Sequence, residues 1–222
     1  GQIIVHGDEG KRYVFGLPAY NTYQKEVSFN VTAPANKSGA LVSYSAEDNS
    51  VNNKKGLDHY FDATTTPPFA YAYYLTDVLS SDYVDISDDG PSPDDYGNYT
   101  KVSYTKTHSN FKWRTPVEKD SAQYDSGLYS KDDDDKGHYI YGTKDIWYPA
   151  TIETKTEIAV FHTSSRSDAL EAFDEYGGKG SSSMLKLDSI SLYNYADKQL
   201  SGNGAVPLLR VHFVYNYSLC QG

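Results

Sequence analysis

Nine segments of the chain have the pattern of β-strands, and their repetition constrains the fold more than any other feature of the sequence. Each is rich in β-branched and aromatic residues and is bounded by Gly, Pro, Asn or Asp, as strands joined by turns are. The segments are QIIVH (2–6), KRYVFG (11–16), EVSFNV (26–31), LVSYS (41–45), YTKVSYT (99–105), HYIYG (138–142), IETKTEIAVFHT (152–163), LKLDSISLYNY (185–195) and LLRVHFVYNYSL (208–219). We therefore predict a mostly β fold of antiparallel sheets with long loops, either a sandwich or one extended sheet.

Helical patterns are scarce, and at most one or two short helices are expected. The clearest is SDALEAFDEYGG (167–178), where Ser167 can cap the first turn and Gly177 can end the helix. FAYAYYLTDVLS (69–80) is compatible with a strand or a helix, and the Pro-Pro pair before it stops a helix from starting earlier.

A length of 222 residues suits one all-β domain or two small ones. We predict a single β-rich module over residues 1–222, with the polar, turn-rich segment 117–137 as the best place for a weak subdivision. Gly1 has the look of a cleavage scar, and the chain ends directly after a strand pattern. The module is therefore expected to be a piece excised from a larger protein.

The composition indicates a folded chain with an aromatic core. The hydrophobic fraction is only 38%, but 22 Tyr and 8 Phe supply rings that can fill a core while keeping a polar edge in water. The net charge of -10 argues against a nucleic-acid partner, which would need Lys and Arg to neutralise phosphates, and favours cations. The single cysteine, Cys220, excludes an internal disulfide, and no apolar run approaches the roughly 18 residues of a membrane-spanning segment.

The segment DISDDGPSPDDYG (85–97), called the acidic loop below, carries five carboxylates. In a calcium loop of the EF-hand type, oxygen ligands occupy places 1, 3 and 5, and glycine occupies place 6. Asp85, Ser87, Asp89 and Gly90 fill these places. The first half of the loop therefore predicts a Ca²⁺ site, since a cation would relieve the repulsion among clustered carboxylates.

The second half of the acidic loop departs from that pattern. Pro93 and Tyr96 stand where two further ligands are usual, so a closing ligand would have to come from Asp94 or Asp95. The alternative is a Gly-Pro turn whose aspartates cap backbone amides and face water. The predicted metal ligands are Asp85, Ser87, Asp89, Asp94 and Asp95.

A second acidic run, KDDDDK (131–136), lacks glycine and any alternation of ligand and spacer. Its flanking lysines favour a solvated loop over a second cation site.

Aromatic side chains offer a different kind of site, because exposed rings can stack on the apolar faces of sugar rings. The alternative is an aromatic β core, since these residues favour strands whatever the function. The candidate platform consists of Tyr71, Tyr73, Tyr74, Trp113, Trp147 and Tyr148.

Catalytic motifs give no positive support for an enzyme. The six histidines are scattered without an HxH or HExxH pairing, and neither GxSxG nor GxxxxGK[ST] occurs. A glycosidase-like pair among the 30 Asp and Glu stays open, because sequence does not show which carboxylates lie close together.

Five segments carry a resemblance to a known family: GKRYVFGLPAYNTYQKEVSF (10–29), KGLDHYF (55–61), SSDYVDISDDGPSPDDYGNYTKVSY (80–104), GHYIYGTKDIWY (137–148) and LDSISLYNYADKQLSGNGAVPLLRVHFVYNYSLCQG (187–222). In order and spacing they resemble a region of very large cell-surface proteins of the Bacteroidetes, which look related to RHS/YD-repeat proteins. The acidic loop is similar to a DxTGDGxxxDDxG pattern with Ser87 and Asp88 in place of Thr-Gly. YNY at 193–195 and at 215–217 resembles the YD motif with Asn in place of Asp.

This resemblance implies an extended RHS-like sheet, an extracellular or cell-surface location at the outer membrane, and neighbouring modules of the same polypeptide as partners. It implies no known activity. We therefore expect a non-catalytic structural or binding module of a large bacterial surface or secreted protein, with a calcium-stabilised acidic loop. The alternative is a carbohydrate-binding module with glycans as partners, and a glycoside hydrolase dependent on Asp and Glu is less favoured.

Overall fold

The computed structural model describes residues 1–33, 41–127 and 134–218, and within these ranges thirteen antiparallel strands form one open sheet. Strands account for 58% of the structure and helices for 5%, so the predicted mostly β class is confirmed. The elements are β1 (Ile3–His6), β2 (Arg12–Phe15), β3 (Leu17–Asn30), β4 (Leu41–Ser43), β5 (Phe61–Thr66), β6 (Phe69–Tyr74), β7 (Asp77–Leu79), β8 (Tyr99–Thr115), β9 (Ser121–Asp125), β10 (Lys136–Glu153), β11 (Glu157–Ala172), β12 (Lys179–Asn194), α1 (Tyr195–Ser201), a 3-10 turn (Gly202–Gly204) and β13 (Leu209–His212).

Strand β10 is the centre of the sheet. Along one edge it pairs with β9 and then with β8, and along the other it pairs with β3 and then with β11. The pairing with β3 ends at residue 144, and the pairing with β11 begins at residue 151. No described strand pairs with this second edge of β10 between those positions, so β3 and β11 separate there.

The long β11–β12 hairpin turns back towards β8. Three register shifts interrupt the β8–β10 ladder, and one of them lies beside Asn110, whose φ is 63°. Bulges of this kind bend a strand pair and increase its twist. The hairpin tip, residues 173–178, contacts β8, because Lys112 Nζ donates to the carbonyl of Phe173 at 3.1 Å.

The main core is aromatic, as the composition indicates. Phe29 and Tyr139 are fully buried, and the ring of Tyr139 stacks on that of Tyr44 with centroids 6.0 Å apart. The cluster is Val27, Phe29, Val31, Val42, Tyr44, Ala122, Tyr124 and Tyr139. A smaller cluster beside the acidic loop contains Val14, Leu79, Tyr83 and Tyr99.

The prediction of a helix at 167–178 is wrong. Its first half belongs to β11 and pairs with β12, and its second half forms the hairpin tip. Ala, Leu and Glu are good helix formers, but helix propensities differ by less than about 1 kcal/mol per residue, so pairing with a neighbouring strand outweighs that preference. The short helix of the described chain is α1, which Asn194 caps by accepting from the Asp197 amide at 3.2 Å.

The ambiguous segment 69–80 forms strands β6 and β7. The same sheet includes strands on both sides of 117–137, and the weak subdivision there stays a prediction. Among the helices that the structure describes, none is long and apolar enough to span a bilayer.

Candidate functional site

The carboxylate of Asp85 accepts hydrogen bonds from backbone amides in the first half of the acidic loop. Its Oδ1 accepts from the amide of Asp88 at 2.7 Å, and its Oδ2 accepts from the amide of Gly90 at 2.9 Å. Gly90 has a φ of 84°, which favours glycine. Both carboxylate oxygens of Asp85 therefore hold the turn.

Asp95 closes the second half in the same way, and it is only 3% exposed. Its Oδ1 accepts from the Ile86 amide at 3.0 Å, and its Oδ2 accepts from the Ser92 amide at 2.9 Å and the Tyr83 hydroxyl at 2.7 Å. Burial alone would raise the pKa of Asp95, but these hydrogen bonds outweigh it and lower the pKa. Lys155 Nζ donates to the Asp95 carbonyl at 2.5 Å and ties the loop to the β10–β11 turn.

The other predicted ligands lie on the outside of the acidic loop. Ser87 Oγ donates to Asp89 at 2.8 Å, and Ser92 Oγ donates to Asp94 at 2.5 Å. Within residues 1–33, 41–127 and 134–218, no three His, Cys, Asp or Glu side chains form a group that could hold a metal ion. The loop has the contacts of the capped-turn alternative, and Ca²⁺ binding by it stays a prediction.

Residues 131–133 of the second acidic run lie outside the described residues. Of its described members, Asp134 accepts from Lys136 Nζ at 2.5 Å. Asp135 is 3% exposed and accepts from the Tyr124 hydroxyl at 2.7 Å. Asp135 thus fixes the start of β10 against the main core.

The predicted aromatic platform is divided between separate places. Tyr71 and Tyr73 are exposed on one face of β6, whereas Trp147 and Tyr148 are neighbours on β10. Adjacent residues of a strand point to opposite faces, so Trp147 and Tyr148 do not share a surface. Trp113 lies near Tyr71, because the two rings flank one lysine, described below.

Tyr148 and Trp147 each have a local role. The Tyr148 hydroxyl accepts from the Leu185 amide at 2.8 Å and holds the hairpin. Trp147 packs under Lys106, whose Nζ is 5.3 Å from the ring centroid. Its buried Nε1 finds no hydrogen-bond partner among the described residues.

A cleft of about 500 Å³ lies between β8 and the β11–β12 hairpin. It is called the cleft below, and it has both apolar and charged lining residues. Its volume is within the range of small-molecule sites, roughly 300–1,000 Å³. The lining residues that matter for the argument are Lys112, Trp113, Lys144, Asp168, Lys179 and Met184.

The Trp113 ring is held in the cleft by a glycine across the strand pair. Trp113 and Gly142 are register partners, and a Cβ at position 142 would lie 2.8 Å from the ring and 2.5 Å from the Tyr23 carbonyl oxygen. Glycine is therefore required for this close approach. Trp113 Nε1 donates to Asn21 Oδ1 at 3.1 Å, which fixes the ring's orientation.

Lys144 is a partly buried cation in the lining of the cleft. Its Nζ lies 5.8 Å from the Trp113 ring centroid and 6.0 Å from that of Tyr71. Burial lowers the pKa of Lys144, because removing an ammonium from water disfavours its charged form. Within the described ranges it forms no ion pair, whereas Lys106 nearby pairs with Asp145 at 2.8 Å.

Arg114 docks the hairpin tip beside the cleft. It is 6% exposed, and its Nε donates to the Glu175 carbonyl at 2.7 Å. Its second terminal nitrogen donates to the Tyr44 hydroxyl at 3.0 Å and the Ser121 carbonyl at 2.9 Å. The guanidinium also lies 4.2 Å from the Tyr139 ring centroid.

Glu175, in the hairpin tip, adds side-chain contacts that dock the tip against β3 and β10. Its Oε1 accepts from Lys25 Nζ at 2.7 Å and from the Tyr139 hydroxyl at 2.9 Å. Gly177 has a φ of 90°, and a Cβ there would lie 2.5 Å from the Glu118 carbonyl oxygen. The hairpin wall of the cleft is thus fixed at both its backbone and its side chains.

Sequence reasoning did not find Lys144, Arg114 or Glu175. One signal for the tip was present, since Gly177 and Gly178 form a turn dipeptide that was interpreted as a helix end. A lysine inside an alternating strand carries no comparable signal.

Asp168, one of the two carboxylates of the cleft, gives little support to hydrolysis. Asp168 accepts from Arg166 through both its oxygens, at 2.7 and 2.5 Å. The hydrogen bonds from Arg166 lower the pKa of Asp168. A general acid needs a raised pKa, so Asp168 is suited to be a fixed charge rather than a proton donor.

Comparison of the chain with protein-family models, with curated proteins and with solved structures gave no match. The resemblance to Bacteroidetes surface proteins stays a prediction, and function is argued from the geometry of the cleft.

Proposed function

We propose that the chain is a non-catalytic binding module that takes a saccharide in the cleft. The observation that carries the proposal is Trp113, a residue that lines a cavity of about 500 Å³ and whose ring lies over Gly142. A ring that is already oriented before binding loses little freedom on contact with a ligand.

Sugars match this arrangement because they combine an apolar C–H face with a rim of hydroxyls. The indole supplies an apolar surface for that face. Lys144 and Asp168, which line the same cleft, supply a donor and an acceptor. A mostly apolar pocket with a few placed polar groups is the usual form of a small-molecule site.

The location is part of the proposal. A surface module beside other modules of the same polypeptide would meet glycans outside the cell, as the family resemblance implies. The docked hairpin tip would keep the cleft open and preformed in such a setting.

Glycan-array binding of the whole chain tests the proposal. We expect binding that Trp113→Ala abolishes and that Tyr73→Ala, an exposed ring of the predicted platform outside the cleft lining, leaves intact. Absence of any saccharide binding would refute the function, and loss in Tyr73→Ala alone would place the site on β6.

A second measurement avoids a destabilising change in the cleft. The chain has two tryptophans, so Trp147→Phe leaves Trp113 as the sole indole reporter. A saccharide bound in the cleft should change the fluorescence of this variant. Unchanged emission at a saturating concentration of an array-positive sugar would exclude contact with Trp113.

A further inference from the structure

The cleft contains a cation whose charge is not neutralised within the described residues. Lys144 is half-buried between two aromatic rings, with its Nζ about equally far from both. Attraction to the two ring faces offsets part of the loss of water, but a carboxylate would offset much more. The ammonium therefore has no counter-ion among the described residues.

The rest of the lining adds to this positive character. Lys112 uses Nζ to bind the Phe173 carbonyl and keeps further donors, and Lys179 forms no ion pair with a described residue. The lining carboxylates are Asp168, which is neutralised by Arg166, and Glu118. In a chain of net charge -10, the four cationic residues that line the cleft outnumber its two carboxylates.

We infer that the saccharide is acidic, and that its anionic group lies against the Lys144 ammonium while its ring stacks on Trp113. This inference rests on the proposed function and names the class of sugar. The anionic group is a carboxylate or a sulfate ester, since lysine binds either as a point charge. An interaction made by one partly buried cation should also tolerate salt better than binding to an exposed basic patch.

A matched set of ligands tests the inference by calorimetry on the intact chain. Oligogalacturonides carry a carboxylate on each ring, and their fully methyl-esterified forms keep the shape without the charge. Sulfated galactan oligosaccharides form a separate arm that identifies sulfate as the recognised group. We expect either the oligogalacturonide or the sulfated galactan oligosaccharide to bind about tenfold more tightly than the uncharged ligand of the same length.

A matched pair of variants assigns the effect to one residue. Lys144→Met should remove the preference for the acidic ligand while weaker binding to the methyl ester remains. Lys198→Met makes the same charge change at a lysine 4.6 Å from the Tyr193 ring, outside the cleft, and should keep the preference.

The outcomes separate the two proposals. Equal binding of charged and uncharged ligands would overturn the acidic class and leave saccharide binding standing. A preference that survives Lys144→Met would also overturn the inference, because another cation would then be the recognising group. Absence of binding to the galacturonide, methyl-ester and galactan sets and to the array would refute the proposed function itself.

Discussion

The acidic loop and the cleft both collect charged side chains, and they treat those charges in opposite ways. In the loop, Asp85 and Asp95 accept hydrogen bonds from the loop's own backbone through every carboxylate oxygen. In the cleft, Lys144 is taken partly out of water without a counter-ion among the described residues. The loop uses its charges for folding, whereas the cleft has one charge without such a use, which we propose binds a ligand.

Charges that serve the fold and charges that are free for a ligand differ in how they are satisfied. A dense run of like charges is conspicuous in sequence, yet satisfied carboxylates are a structural device. A single unpaired charge is inconspicuous in sequence, yet it lowers stability and needs another reason to be present. The predictions below separate these two uses of charge.

The largest effect is expected from Arg114→Met, which removes the docking of the cleft wall. Several buried carbonyl and hydroxyl groups would lose their donor, at about 1–3 kcal/mol for each unsatisfied group. We expect the free energy of unfolding in urea to fall by about 3 kcal/mol or more. Lys112→Met, which removes one exposed contact to the same tip, should cost less than about 1 kcal/mol. A loss below that level for Arg114→Met would show that the tip is docked by other contacts.

Gly142→Ala should have the next largest effect on the free energy of unfolding, because its Cβ would clash with the Tyr23 carbonyl and the Trp113 ring. We expect a loss of about 1–3 kcal/mol, as for other overpacked sites, together with a shifted tryptophan emission. Gly204→Ala is the control, since nothing lies within 4 Å of a Cβ there. Unchanged emission in Gly142→Ala would mean that the glycine does not position the ring.

Asp95→Asn should destabilise the acidic loop in a pH-dependent way. The pKa of Asp95 is lowered in the folded state, so its stabilisation is complete above the unfolded pKa and is lost as pH falls through the folded pKa. The difference in melting temperature between wild type and variant should therefore be largest near neutral pH and shrink below about pH 4. Asp88→Asn, at an exposed position of the same loop, is the matched control for this substitution.

Lys144→Met should change stability in the opposite direction. A lysine whose folded pKa is lowered opposes folding while it is protonated, and this penalty fades as pH rises from the folded pKa towards the unfolded value. We expect the variant to melt no lower than wild type at neutral pH, with its advantage decreasing at alkaline pH. A clear loss of stability would indicate that Lys144 serves the fold.

The smallest effect is expected for calcium. Because Asp85 and Asp95 already use their oxygens, an ion would depend on the outer carboxylates Asp89 and Asp94. We expect 1 mM Ca²⁺ to raise the melting temperature by less than about 2 °C relative to EDTA. A larger rise that Asp89→Asn removes would restore the calcium-stabilised loop as the main feature of this segment.

Sequence patterns were sufficient for the fold class but not for the cleft. Alternation and turn residues predicted the strand class, since burial of one sheet face imposes that periodicity locally. The prediction for 167–178 failed because helix propensity is a small term per residue, and pairing of Leu170 and Ala172 with β12 and docking of the tip outweigh it. Arg114 and Glu175 were missed because their contacts join positions far apart in the chain.

The sequence by itself determined that the chain forms antiparallel strands, an aromatic core and a turn rich in aspartate. These properties follow from side-chain periodicity and from local hydrogen bonding. Only the tertiary structure decided that Lys144 is unusual. Its environment arises because β6 and β8 place Tyr71 and Trp113 next to it, while the docked hairpin forms the wall of the cleft. These contacts join strands that are far apart in the chain, so no local sequence pattern encodes them.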